Sequence, residues 1–228
     1  MQIVRADLTT PPDPWGAVVV IDVLRSFSTA AYAFAAGVRV IHPVGSIPEA
    51  LAVRASLPDA LTIGAAPGGW PVPEFDLANS PAALAGFDLA GKELVHCTAG
   101  GVHALLAWQS APWMFAASLV CARATARELR RLAPARVTLV TTGQWTDRDG
   151  DEDFACADYI EALLADASTD PAPYVARVRQ SDFARRFTGA AGAAHPAADL
   201  DCCAAADRFD FALQAVRRGA RMVLAPLA

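Results

Sequence analysis

With 228 residues, 54% of them hydrophobic, the chain can build one sizeable core, as a single body or as two lobes sharing it. A formal charge of −5 argues against a nucleic-acid binder, which carries a basic surplus. Five scattered cysteines without a CxxC pair speak against structural zinc or a disulfide scaffold, and the absence of a signal-like N-terminus or a bilayer-length apolar run predicts a cytoplasmic protein with no membrane partner.

Strand-like and helix-like runs alternate along the chain. AVVVIDV, from Ala17, has the β-branched composition and length of a buried strand. SFSTAAYAFAAG then reads as a helix capped by Ser26 or Ser28 and stopped at Gly37. VRVIHPV is a second strand. SIPEALAVRAS is a helix with Ser46 as its cap and Pro48 and Glu49 in its first turn. ALTIGA is a third strand. A long loop follows, APGGWPVPEFDLANSPAAL, in which Pro67, Pro71, Pro73 and Pro81 forbid a continuous element.

Alternation then resumes. KELVHCT is a strand and AGGVHALLAW a glycine turn into a helix. PWMFAAS is a strand, CARATARELRRLA a helix and ARVTLVTTG a strand. DEDFACADYIEALLAD is a helix that opens on three acids. The remainder is less regular, with helical pieces around Tyr174–Arg186, then FDFALQAVRRG, then a last strand ARMVLAP. Gly189–Asp199, GAAGAAHPAAD, reads as a surface loop. Repeated strand–helix units predict a three-layer α/β/α fold with a largely parallel or mixed sheet.

Ligands of such sheets gather beyond the carboxyl ends of the strands. There this sequence places Asp22 and Arg25, then Thr98, Gly100 and Gly101, then Ser118, Thr141, Thr142 and Gly143, with Glu152 and Asp153 a loop later. The long loop adds Asp76, Asn79 and Ser80. Glycines and small hydroxyl residues expose N–H groups to anions. Arginine grips an oxyanion with two prongs. Carboxylates suit magnesium. Together these are the parts of a phosphoryl-transfer site. Each also has a plainer use: Asp22 as a helix cap, Arg25 as its ion-pair partner, the glycines as a tight turn, and the acids of DED as complements to the helix dipole.

Two other phosphatase chemistries are weaker. Cys121 and Arg127 have Cys-x5-Arg spacing, but the intervening loop has no glycine and its alanines and arginines favour helix. An aspartyl-phosphate enzyme needs a second acid two residues after Asp22, where Leu24 stands. His42, His96, His103 and His195 are not spaced as a metal set, and Trp70 and Trp145 sit where they could wall a pocket.

The motifs VVIDVLRSFST, GVRVIHPVGSIPEA, FDLANSP, CTAGGVHAL, DEDFACADYI, SDFARRF and CAAADRFD occur in an order that resembles the 2-phosphosulfolactate phosphatase family, magnesium-dependent hydrolases of the coenzyme M pathway. The resemblance covers nearly the whole chain and implies one α/β domain over residues 1–228. It implies a small-molecule phosphate ester as partner and Mg2+ as cofactor, and leaves a homo-oligomer open. It further implies Asp22, Glu152 and Asp153 as catalytic and metal-binding residues. Arg25, Ser26, Asn79, Ser80, Thr98, Gly100, Gly101 and Arg185 are implied around the substrate, with Arg185, after Ser181, on a second anionic group. Asp207 also matches. Two departures stand out: the family's Gly-Glu-Arg run is GAAPGG here, and its Asn-Gly-Thr turn is Ala99-Gly100-Gly101. They leave two outcomes, a phosphatase for an altered ester or a relative that binds an anion or partner without turnover.

Overall fold

A strand covered on both faces needs apolar side chains at every position. In a computed structural model, which describes residues 1–189, 194–219 and 221–228, Gln2–Ala6 (β1) grades from exposed to buried, whereas Ala17–Ile21 (β2) is buried throughout. Val40–Pro43 (β3), Ala60–Gly64 (β4), Leu77–Ala78 (β5), Glu93–Cys97 (β6), Trp113–Ala117 (β7), Arg136–Thr141 (β8), Ala212–Arg218 (β9) and Arg221–Leu227 (β10) complete a single ten-stranded sheet. Its order is β1-β8-β2-β7-β9-β10-β3-β6-β4-β5.

The strands fall into two parallel groups joined by an antiparallel hairpin. β1, β8, β2 and β7 are parallel to one another, as are β3, β6, β4 and β5. β9 runs antiparallel to β7 and to β10, and β10 antiparallel to β3. Three reversals give the two groups opposite sense. Sheets twist by about 20–25° per strand, so the five steps from β2 to β6 turn the strand direction by roughly 100–125°. That twist offsets much of the reversal, and residues beyond β2 and β8 meet residues beyond β4, β5 and β6.

Helices cover both faces, as three-layer packing requires. Val18 and Val20 of β2 point into one core with residues of Ser26–Ala35 (α1) and Gly101–Ala107 (α3), including Phe34 and Leu105. Ile47–Ser56 (α2) contributes Ala50 and Val53 to a smaller core against Val95 of β6. Ala17, Val19 and Ile21 point the other way, against Ala122–Leu132 (α4), Asp151–Ala165 (α5) and Ala172–Gln180 (α6). Two short helices, Arg185–Thr188 (α7) and Ala197–Cys203 (α8), close this second core. Complete burial of one such aliphatic side chain contributes about 1.5–3 kcal/mol. No helix among the described residues is long and apolar enough to cross a membrane.

Local signals explain most boundaries. Ser46 Oγ accepts the N–H of Glu49 and starts α2. α1 is different. Neither Ser26 nor Ser28 caps it: the Ser26 N–H donates to Asp22 Oδ1, and Ser28 Oγ donates to the Val23 carbonyl. Asp22 therefore supplies the cap from four residues upstream. β1 carried no strand signal, because QIVRA mixes exposed and half-buried positions. FDFALQAVRRG becomes the first arm of the β9–β10 hairpin, turning at Gly219 with φ of +62°. ARMVLAP is β10, with Ala220 outside the described residues. The expected surface loop over Gly189–Asp199 is corrected in its second half. Ala190–Ala193 lie outside the described residues, but His195 is buried and Asp199 lies wholly buried in α8.

Candidate active site

β2 ends at Ile21, and the chain must leave the sheet there. The Asp22 N–H still bonds Ala117 of β7, which fixes the residue at the strand end. Its carboxylate is then held at both oxygens, Oδ1 by the Ser26 N–H at 3.0 Å and Oδ2 by the Gly101 N–H at 2.8 Å. The second contact requires glycine. A Cβ on Gly101 would lie 2.7 Å from Asp22 Oδ2 and 2.8 Å from Asp22 Cβ. One on Gly100 would lie 3.2 Å from Oδ2. Gly100 and Gly101 thus seat an acid, and the Gly101 N–H is committed to that acid rather than open to an anion.

Asp153 lies at the start of α5, beneath the ends of β2 and β8. Its Oδ1 accepts the Val23 N–H at 2.8 Å. Its Oδ2 accepts the Thr142 N–H at 2.9 Å and lies 3.2 Å from Thr142 Oγ1. Glu152, its neighbour, is also buried, and its Oε2 has no hydrogen-bond partner among the described residues. Gly143 makes room: a Cβ there would lie 2.7 Å from Glu152 Oε1. Asp151, the first acid of DED, faces outward and pairs with Arg177.

Burial pushes all three carboxyls upward, because the charged form loses its water. Glu152 is pushed up to about 7, with the Asp22 charge adding to burial. Asp153 is raised well above the usual carboxylate range, by burial first and then by the charges of Asp22 and Glu152. Asp22 is raised by burial against the pull of its two N–H bonds. The charge of Arg148 pulls Asp22 and Glu152 back down. Arg148 itself is lowered by burial.

The three acids line a cleft of about 50 Å3, together with Arg25, Asn79, Thr98, Gly100, Thr142 and Arg148. Arg25 is committed: Nη1 donates to Asp199 Oδ2 at 2.7 Å and Nη2 to the Gly69 carbonyl at 2.9 Å. Asp199 Oδ1 in turn accepts Ser80 Oγ at 2.7 Å and the Ala82 N–H at 3.0 Å, so Ser80 serves this pair. Asn79 is buried beside the cleft with Oδ1 unpartnered. Ser26 Oγ and Thr98 Oγ1 are 3.0 Å apart, and Thr98 Oγ1 also accepts the Val102 N–H. His195 packs among Trp70, Phe183 and Phe187, beside Arg25.

Several expected residues lie elsewhere. Arg185 is exposed and pairs with Asp182 at 2.7 Å, outside the cleft. The next residue, Arg186, turns inward over the Phe183 ring and pairs with Asp147. Asp76 accepts the Thr62 N–H and hydroxyl, tying the long loop to β4. Asp207 binds Arg123 and Tyr159 at the start of α4. Cys121 is fully buried with its thiol pushed up by burial, and Arg127 pairs with Asp210, so the Cys-x5-Arg spacing builds no nucleophile loop. Arg148 and Asp199 had no motif to mark them. The aromatic and acidic residues near Arg148 in sequence were the one available hint.

Among the described residues, no group of three or more His, Cys, Asp or Glu side chains is disposed to hold a metal ion. Asp153 Oδ2 already has two donors, whereas its Oδ1 accepts the Val23 N–H alone. Glu152 Oε2 is free, and each Asp22 oxygen keeps one lone pair beyond its N–H bond. Glu152, with an oxygen that has no partner, and Asp22, with an open lone pair on each oxygen, fit a magnesium ion, which keeps several waters and takes only one or two protein acids.

A family model described as 2-phosphosulpholactate phosphatase matches residues 4–216. A Bacillus subtilis protein named "Probable 2-phosphosulfolactate phosphatase" is 32% identical over 170 residues, covering 74% of this chain and 73% of its own. A namesake from Carboxydothermus hydrogenoformans is 43% identical over 151 residues, 66% of this chain and 61% of its own. One from Prochlorococcus marinus strain MIT 9303 is 30% identical and spans 95% of both chains. The chain belongs to the 2-phosphosulpholactate phosphatase family, a family of phosphatase-like hydrolases.

Proposed function

We propose that this family member is a magnesium-dependent phosphoric monoester hydrolase acting on a small anionic phosphate ester, with residues 1–228 working as one domain. The names of its relatives make 2-phosphosulfolactate the first ester to try. One observation carries the reading: buried Glu152 and Asp153 meet half-buried Asp22 at one strand end, and of the two guanidiniums that line the same cleft Arg25 is already paired with Asp199, which leaves Arg148. Burial of like charges is costly unless something positive is to be bound.

In this reading Asp22 and Glu152 hold the magnesium ion. Bound there, magnesium supplies positive charge against the acids and the phosphoryl oxygens. The remaining work belongs to the chain. Asp22 is fixed by two backbone donors and keeps its orientation through the reaction. Asp153 positions the ends of β2 and β8 through Val23 and Thr142. Glu152 gives its free Oε2 to the ion, and its carboxyl lies near neutrality only before the ion displaces its proton. Hydrolysis then adds water across the ester P–O bond, the water oxygen going to phosphorus and one water proton to the departing alkoxide oxygen. Water and ester thereby become inorganic phosphate and alcohol.

The lack of a three-ligand metal group favours a second reading, an anion binder without turnover. Phosphate release from an aryl phosphate, with magnesium titrated into purified protein, separates the two. The hydrolase reading expects metal-dependent release that falls about 10³-fold in Asp22→Asn. No release across a panel of esters that includes 2-phosphosulfolactate, while phosphate still raises the melting temperature, establishes the binder.

A further inference from the structure

We propose that Arg148, and not Arg25, is the guanidinium that grips the phosphoryl oxygens, while Arg25 is a structural tie. The proposal rests on the hydrolase reading for its ligand, and on geometry for the choice between the two arginines.

Both side chains line the cleft, but their donors are spent differently. Arg25 is 3% exposed and gives one prong to Asp199, itself 0% exposed, and the other to the Gly69 carbonyl. An incoming oxyanion would have to displace a buried carboxylate whose other oxygen is already held by Ser80 and Ala82. Losing that pair leaves Asp199 uncompensated, which is strongly unfavourable.

Arg148 is half-buried and uses Nε alone, donating to the Gly143 carbonyl at 2.9 Å. Its Nη1 and Nη2 make no hydrogen bond, and no carboxylate lies within ion-pair distance of it, among the described residues. The guanidinium lies over the Phe183 ring at 4.3 Å and near the Trp145 ring at 5.3 Å. Stacking fixes the plane without consuming the two terminal nitrogens. Those nitrogens form the two-pronged fork that matches a tetrahedral oxyanion. The cleft has room for a few waters or one such oxyanion. Glu152 and Asn79 line the same cleft, and their unpartnered oxygens, Oε2 and Oδ1, are acceptors suited to a cation beside the oxyanion, which leaves the donors to Arg148. The residues that make Arg148 a fork come from the loop before α5 and from Phe183, outside the strand-end motifs.

The test compares Arg148→Gln, Arg148→Lys and Asp199→Asn in the full chain with magnesium, with inorganic phosphate as probe in calorimetry. Arg148→Gln is expected to weaken phosphate binding about 10–100-fold, with a smaller loss of melting temperature than Asp199→Asn. Arg148→Lys recovers only part, since a point charge lacks the fork. Asp199→Asn is expected to lose melting temperature first. Phosphate binding by Arg148→Gln at parental affinity overturns the proposal, as does a parent chain that binds no phosphate. A parent that binds phosphate through Arg148 but hydrolyses no ester defeats the hydrolase reading and leaves this assignment standing.

Discussion

Arg25, paired with Asp199, and the Asp22–Glu152–Asp153 group line the same cleft, the pair wholly buried and the group buried but for half-buried Asp22, and they differ in balance. In the first, one cation meets one anion, and the remaining Asp199 oxygen has two donors of its own. In the second, three acids share one guanidinium that touches none of them at ion-pair distance among the described residues. Burying a charge costs several kcal/mol unless partners offset it. A balanced pair has no use for a ligand and serves to hold α8 to the loops around Gly69 and Ser80. An unbalanced group retains a drive to take up a proton or a cation. The contrast teaches where to look for chemistry: at the buried charge that the fold leaves unpaid.

The comparison breaks first at Asp199. Asp199→Ala leaves Arg25 buried without its carboxylate and Ser80 without its acceptor. Urea unfolding should show a loss of about 3–5 kcal/mol, the usual consequence of halving a buried ion pair. A loss under about 1 kcal/mol would mean that the pair is not a tie.

Glu152→Gln sharpens the other side, with a smaller effect of opposite sign. The folded-state carboxyl lies near 7 and the unfolded one near its ordinary value. Between those limits the folded chain keeps a proton that the unfolded chain has released. Native stability therefore falls as pH rises through the window, and stays at the lower level above it. Glutamine removes that cost. Metal-free Glu152→Gln should be about 1–3 kcal/mol more stable than the parent at pH 8, with the difference closing toward pH 4.5. Equal stabilities across the range would contradict the imbalance.

Much of the sheet could be read from local pattern. AVVVI had to be covered on both faces, and Ser46 carried its own cap signal in its spacing to Glu49. β1 escaped because an edge strand with exposed positions lacks a buried strand's composition. The acids Asp22, Glu152 and Asp153 were marked by position at strand ends, and the structure gathers them. Their partners were not legible. Asp199 lies 174 residues from Arg25 in a short alanine-rich helix, so pairing by fold alone reveals it. Arg148 sits in an aperiodic turn, and its orientation is set by Phe183, which is 35 positions away. Arg185 and Arg186 are adjacent, and only the α7 backbone decides which of them faces Phe183.

The most direct measurement is the titration of the Glu152 carboxyl itself, by carbon-13 NMR of labelled glutamate, assigned against Glu152→Gln. In metal-free protein the resonance should titrate near 7, and added magnesium should drive the midpoint down as the cation takes the proton's place. A midpoint in the ordinary glutamate range, unmoved by magnesium, would show that the acids at the end of β2 are already balanced and that the cleft is not built to bind positive charge.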